Sequence, residues 1–251
     1  MYYGVMIIMS DNIRLSAVLE RPEGLSQCPL CIIIHGFTGN MEERHIKAVA
    51  ETMRCNGIAT LRVDMYGHGE SDGRFEDHTL FKWLTNGMDV IDHSLTLDFV
   101  SEIWLCGHSQ GGLLTMLLAS MERDIVKRLF ALSPAVMIPD QAREGSTLGM
   151  SFDPVDLPKY LDVKPGYRLK NNYIRVAQTI DVDRAVRAFK GKVFVAIGTD
   201  DRTVSPSIVA RTVAGYSDCK YVEIPGDTHC FDNNLECLTA QLDNYLKEQV
   251  Y

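Results

Sequence analysis

Glu102-Ile-Trp-Leu-Cys-Gly-His-Ser-Gln-Gly-Gly112, followed by the apolar run Leu113–Ala119, is the stretch that decides how this chain is read. A β-type run ends at Gly107, Ser109 follows, and Gly111-Gly112 opens a helix, so G-x-S-x-G stands in a strand–turn–helix setting. On such a turn the serine Oγ is presented above a sheet, and the small flanking residues let strand and helix approach closely. The pattern alone is weak. Its meaning depends on whether the groups that activate a serine occur elsewhere in the right order.

A serine hydroxyl is a poor nucleophile until a base takes its proton, and the base needs an acid to hold its tautomer. After this kind of turn the acid comes next along the chain and the histidine last. His229, in Gly226-Asp-Thr-His-Cys-Phe231, is the one histidine of seven that follows Ser109, so chain order selects it. The acid belongs on Gly198-Thr-Asp-Asp-Arg-Thr-Val204, the loop leaving the strand Lys192–Ile197. Asp201 is preferred for its Gly-x-x-Asp-x-x-Val setting, Asp200 is the alternative, and Asp227 lies uncomfortably close to His229 in sequence.

A developing oxyanion needs N–H donors already in place. The backbone N–H of Gln110 supplies one, and Phe37, in the loop His35-Gly-Phe-Thr-Gly-Asn40, supplies the other. His35 reads as a residue that shapes this loop, and His108 as turned away from the site by the elbow. Asp64-Met-Tyr-Gly-His-Gly-Glu-Ser-Asp-Gly73 reads as backbone support beside the site.

Outward from the elbow, strands and helices alternate. Val5–Met9 and Ile13–Glu20 flank the turn residues Ser10-Asp11-Asn12 and predict an opening hairpin. Met1–Met9 has neither a basic leader region nor a small-residue cleavage site, so it is read as a strand and not as a signal peptide. Leu30–Ile34, Ile58–Val63, Ile103–Cys106, Arg128–Ser133, Lys192–Ile197 and Lys220–Ile224 are compact apolar runs, as strands buried on both faces should be. Helical faces are marked by Ile46, Val49, Ala50 and Met53, by Leu80, Leu84, Met88, Ile91 and Leu95, and by Leu235, Leu238, Leu242, Tyr245 and Leu246. Further helices fall near Asp183–Phe189 and within Ser207–Val213. This alternation predicts a mostly parallel sheet covered on both faces. After Ser133 the pattern breaks: five of the nine prolines fall between Pro134 and Pro165, beside Phe152, Tyr160, Tyr167 and Tyr173. A long segment of poor periodicity inside a compact domain reads as a lid or substrate-shaping insertion.

With 251 residues, 46% hydrophobic and 23% charged, the composition is that of one sizeable globular domain. A formal charge of −8 argues against nucleic acid or an anionic membrane as partner. No run of 18 apolar residues offers a membrane span. Seven cysteines without framework spacing imply reduced thiols and a cytoplasmic protein. Cys28-Pro-Leu-Cys31 leads into a strand and lacks a second pair, so neither a metal nor a cofactor is expected.

Taken together, Ser109, Asp201 and His229 with His35-Gly-Phe-Thr-Gly39 and Asp64-x-x-Gly-His-Gly-x-Ser-Asp-Gly73 resemble the α/β-hydrolase superfamily over nearly the whole chain. More narrowly, the chain is similar to the bacterial cinnamoyl (feruloyl) esterases. The carriers are Leu61-Arg-Val-Asp64, Gly67-His-Gly-Glu-Ser-Asp-Gly-Arg-Phe-Glu76, Gly107-His-Ser-Gln-Gly-Gly112, Thr199-Asp-Asp201, Val204-Ser-Pro206 and Asp227-x-His-Cys-Phe231. Within the insertion they are Glu144-Gly-x-Thr147, Pro154-x-x-x-Pro158 and Tyr173-x-Arg-Val-Ala-Gln178.

The resemblance implies an α/β-hydrolase fold with an eight-stranded sheet. Residues 1–134 and 179–251 would form the core, and 135–178 an inserted lid that grips an aromatic acyl group. It also implies a serine carboxylesterase acting on small hydroxycinnamate esters; apart from the resemblance, a monomer or homodimer is expected. Tyr173 matches the family and would meet the phenolic hydroxyl, with Gln141 or Asp140 as partners. Where the family carries an acidic residue for that hydroxyl this chain has Gln141 beside Asp140, and a polar family position shortly after is Leu148 here.

Monoacylglycerol lipase and aminopeptidase activities share the scaffold. A lipase lid should be continuously apolar, whereas this one mixes tyrosines, prolines and charges. An aminopeptidase needs carboxylates for the substrate amine, which Asp140 or Glu144 could supply. A ligand-sensing protein on a hydrolase scaffold is the non-catalytic alternative, and dehalogenase chemistry is disfavoured by a serine at the elbow.

Overall fold

Asp11 and Asn12 take φ values of 48° and 61°, the left-handed pair that a two-residue hairpin turn requires and that Asx residues tolerate. They join β1 (Tyr2–Ser10) to β2 (Ile13–Arg21) in the antiparallel hairpin expected from the sequence. The computed structural model describes residues 2–248, so Met1 of the expected first strand lies outside it. The core continues through β3 (Cys28–Ile34), α1 (Arg44–Cys55), β4 (Ala59–Val63), α2 (Leu80–Leu95), β5 (Val100–His108), α3 (Gln110–Met121) and β6 (Val126–Leu132). A single 3-10 turn, Phe75–Asp77, precedes α2.

Between β6 and the next core strand come α4 (Ile138–Glu144), the short pair β7 (Ser146–Thr147) and β8 (Met150–Ser151), the hairpin β9 (Tyr160–Lys164) and β10 (Tyr167–Lys170), and α5 (Asn172–Gln178). The chain closes with α6 (Val182–Ala188), β11 (Lys192–Gly198), α7 (Pro206–Val213), β12 (Cys219–Ile224) and α8 (Leu235–Glu248).

The eight core strands form one sheet in the order β1-β2-β4-β3-β5-β6-β11-β12. Strand β2 runs antiparallel to both neighbours, and every pair from β4 to β12 is parallel. Successive side chains of a strand point to opposite faces, so each continuous apolar run feeds two cores. Leu30, Ile32 and Ile34 of β3 join the core beneath α2, α3 and α6, while Cys31 and Ile33 join the core beneath α1 and α8. The mostly parallel, two-faced α/β sheet read from the sequence is what forms.

Helix α3 is buried along Gln110–Ala119, which explains why its sequence is apolar all round. Helix α2 buries Leu80, Leu84 and Ile91 of its expected face, with Met88 half-buried and packed against the core. Its buried stripe is Leu80, Trp83, Leu84, Gly87, Val90, Ile91 and Ser94, while Leu95 is half-exposed at the C-terminal end. The segment after β6 is also more regular than its sequence suggested, because seven-residue helices and strands of two to five residues are too short to display a period.

Candidate active site

Ser109 sits at φ 55° and ψ −119° between β5 and α3, a conformation that L-residues rarely adopt. The surroundings over-determine it. The Ser109 N–H donates to the Leu132 carbonyl at 2.9 Å, and its own carbonyl accepts from Leu113 and Ala135 at 3.0 Å each. The flanking glycines are sterically required: a Cβ on Gly107 would run into the Gly111 carbonyl, and one on Gly111 into the carbonyls of Ile34 and His35. Strand and helix thus close to backbone contact, and Ser109 is left at the rim, 8% exposed.

The loops after β11 and β12 bring the two partners to it. His229 Nε2 lies 2.8 Å from Ser109 Oγ, and His229 Nδ1 lies 2.8 Å from Asp201 Oδ2. A carboxylate only accepts, so Nδ1 carries the proton and Nε2 is the free acceptor facing the serine hydroxyl. The other Asp201 oxygen accepts the backbone N–H groups of Thr203 and Val204 at 2.9 and 2.8 Å. Burial alone would raise the Asp201 pKa. The hydrogen bond and charge of His229, with those two amides, outweigh it and hold the carboxyl below its ordinary value.

Asp200 is exposed and takes no part in this line. Asp227 is fully buried and serves a different purpose. Its carboxylate accepts the backbone N–H groups of Thr228, Asn233 and Asn234, bracketing the loop that carries His229 against the start of α8. That bracket was not legible in the sequence, where Asp227 was an acid too close to His229 and part of a matched motif.

The loop after β3 lies hard against the elbow: a Cβ on Gly36 would stand 3.0 Å from Ser109 Cβ. The N–H groups of Phe37 and Gln110 meet no protein acceptor among the described residues. Gln110 is the first residue of α3, where no intrahelical acceptor exists. His35 is structural, as read: Nδ1–H donates to the Gly36 carbonyl at 2.8 Å and Nε2 accepts the Met65 N–H at 3.1 Å. Asp64 is likewise a strut, its two oxygens accepting the N–H groups of Met41 and Glu70. His108 donates from Nε2 to the His229 carbonyl at 2.8 Å and does not face Ser109 Oγ as a base.

The residues assigned to the phenol end are placed otherwise than the resemblance implies. Tyr173 is fully buried, and its hydroxyl donates to Gln110 Oε1 at 2.6 Å, so it is engaged inside the protein. Its ring packs against Phe37 and His78, with centroids 6.0 and 5.3 Å away. Asp140 points to solvent and pairs with Arg143 at 2.5 Å, lining a polar cleft with Asp181, Asp183 and Arg211 that holds none of the triad residues. Gln141 is half-buried one position further on.

An aromatic line unforeseen in the sequence leads away from the loop after β3. Phe37 meets Phe75 at 5.2 Å, and Phe75 meets Tyr167 at 4.9 Å. Phe75 and Tyr167 border a cleft of about 840 Å³ beside the β9–β10 hairpin, whose lining likewise includes none of Ser109, Asp201 and His229. That hairpin reaches the loop after β3 itself, where Lys164 Nζ donates to Thr38 Oγ1 at 3.1 Å.

The family model described as serine aminopeptidase, S33, matches residues 26–155. The structure of Est1E from Butyrivibrio proteoclasticus with ferulic acid bound superposes with a TM-score of 0.96 at 53% identity, covering 98% of this chain and 99% of that one. Human palmitoyl-protein thioesterase ABHD10, mitochondrial, is 29% identical over 147 residues, which is 58% of this chain and 44% of that protein. The chain thus matches less than half the length of that curated relative. Mouse alpha/beta hydrolase domain-containing protein 10 shares the fold, with a TM-score of 0.76 at 17% identity over 98% of this chain and 99% of that one. With the elbow, the sheet order and these matches in hand, the chain belongs to the serine hydrolase and esterase family of the α/β-hydrolase fold.

Proposed function

We propose that this protein is a serine carboxylesterase that hydrolyses small hydroxycinnamate esters, feruloyl and p-coumaroyl among them. In this reading Ser109 is the nucleophile, His229 the base and then the acid, and Asp201 the group that holds the imidazole. Ser109 Oγ attacks the ester carbonyl as its proton passes to His229 Nε2, and the tetrahedral oxyanion is met by the N–H groups of Phe37 and Gln110. The proton returns to the departing alcohol, leaving an acyl group on Ser109. Water then repeats the sequence, His229 taking its proton, and releases the free acid. No co-reactant other than water is needed.

The observation that carries the reading is the unbroken line from Ser109 Oγ through His229 to Asp201, with each hydrogen bond 2.8 Å long. The acyl preference is supported by Est1E, 53% identical, which binds ferulic acid. Residues 1–134 and 179–251 act as the core, and 135–178 as the inserted lid. With the Tyr173 hydroxyl engaged by Gln110, the aromatic line Phe37–Phe75–Tyr167 is the better wall for a planar acyl group. All seven cysteines are free thiols, and no helix among the described residues is long and apolar enough to cross a membrane, which accords with a cytoplasmic enzyme.

A hydrolysis panel tests this reading: methyl ferulate, methyl p-coumarate, methyl cinnamate, medium-chain acyl esters, a palmitoyl thioester and aminoacyl anilides. The highest kcat/KM is expected on the hydroxycinnamates. A preference for the thioester or the anilides would move the activity toward that of the more distant relatives or the one named by the family model.

A further inference from the structure

Beside His229, the side chains of Glu43, His45 and His108 each bring a carboxylate oxygen or ring nitrogen within 4.8 Å of the other two. Each also has a buried polar atom with no hydrogen-bond partner among the described residues: Glu43 Oε2, His45 Nε2 and His108 Nδ1. His45 and His108 are each 3% exposed, and their rings meet edge to face with centroids 4.2 Å apart. Buried polar atoms are nearly always satisfied, so three unsatisfied ones in one place, two from the start of α1 and one from the end of β5, call for an occupant.

We propose that Glu43, His45 and His108 form a binding site for a divalent transition-metal ion, zinc by the character of the donors. Two imidazole nitrogens and one carboxylate oxygen are a borderline-soft set of the kind zinc takes, with a fourth position left for water. The ligands are oriented in the manner of metal sites. The Nε2–H of His108 donates to the His229 carbonyl, which leaves Nδ1 of the neutral ring as a bare lone pair. The backbone N–H of Glu43 donates to the Asn40 carbonyl at 3.4 Å, which fixes the start of α1 from which the carboxylate extends. Ligand atoms around a tetrahedral zinc stand roughly 3.4 Å apart, and the half-buried Glu43 is the arm that closes the remaining gap. Because His108 holds the carbonyl of His229, an ion on His108 also ties down the loop after β12.

Titration calorimetry with zinc chloride on the metal-free full-length protein tests the site. The wild type is expected to bind one ion, and Glu43→Gln and His45→Asn to bind it at least about tenfold more weakly. His229, whose ring centroid lies 4.8 Å from that of His108, is the imidazole competitor, and Cys230 beside it in sequence the thiol competitor. Cys230→Ser and His229→Asn are expected to keep the binding. Two variants guard against loss of folding, and each is checked by its thermal transition without metal. Absence of one-to-one binding in the wild type would mean that a water fills the space and would overturn the proposal. So would binding that survives both Glu43→Gln and His45→Asn, or that is lost with Cys230 or His229.

Discussion

Ser109 carries two demands in one residue, a reactive hydroxyl and a φ of 55°. A non-glycine residue held there stores about 1–3 kcal/mol of strain, which alanine would keep and glycine would release. Ser109→Ala and Ser109→Gly are therefore both expected to lose activity by at least about a thousandfold. They should differ in melting temperature, with the glycine variant higher; calorimetry of the two decides it, and equal midpoints would mean that the turn is unstrained. Asp201→Asn replaces the oxygen that accepts from His229 Nδ1 and invites the wrong tautomer, so kcat should fall by orders of magnitude while Asp200→Asn stays near wild type. Comparable losses in both variants would undo the assignment. At this scale the sequence was informative because one histidine alone follows the serine. It was silent on the grouping of Glu43, His45 and His108, since β5 and the start of α1 are brought together only by the folded sheet.

Among the elements, α5 and α3 are joined by the Tyr173 hydroxyl and the Gln110 side chain, 63 positions apart in the chain. Local pattern cannot report such a contact, which is why Tyr173 was legible as a match and not as an internal strut. Tyr173→Phe leaves Gln110 Oε1 buried without a donor, a loss of about 1–3 kcal/mol in stability. Rates on ferulate, p-coumarate and cinnamate esters should fall together; a selective loss on the two phenolic esters would return Tyr173 to the substrate. The β9–β10 hairpin is tied down by Arg168 on Glu76, by Lys170 on Asp77 and by the packing of Tyr167 on Phe75. Surface ion pairs are worth little beside an aromatic contact. Tyr167→Ala is thus expected to raise KM for methyl ferulate several-fold while leaving a short acetate ester unaffected, and steady-state kinetics on both esters checks this.

For the molecule as a whole, His35, His68 and His78 pack with Trp83 into one buried imidazole cluster beneath the site. Each donates Nδ1–H to a backbone carbonyl, and burial lowers their pKa values from 6.5 to about 4, 3 and 3. The sign follows directly. Below 6.5 the unfolded chain takes protons that the folded rings refuse, so their contribution is complete above 6.5 and lost as pH falls toward 4 and then 3. Stability should drop by up to about 1.4 kcal/mol per pH unit for each ring in that window. Urea unfolding at pH 7.5, 6 and 5 measures it, and a flat profile would falsify the neutral cluster. The architecture at this scale was the most legible part, because parallel strands buried on both faces write themselves as continuous apolar runs. The histidine cluster was not, since its members come from the connections after β3 and β4, whose convergence no spacing announces.

The sheet also fixes when in the life of the chain an active enzyme can exist. The strands beside the elbow, β3, β5 and β6, are complete by Leu132, whereas Asp201 and His229 ride on β11 and β12, which dock on the far side of β6. A chain growing from its N-terminus can therefore assemble the turn around Ser109 long before the base arrives. On the proposed assignment, ester hydrolysis in this protein reports synthesis carried through β12, and a nascent or truncated polypeptide that stops before it harbours a poised serine with nothing to fire it.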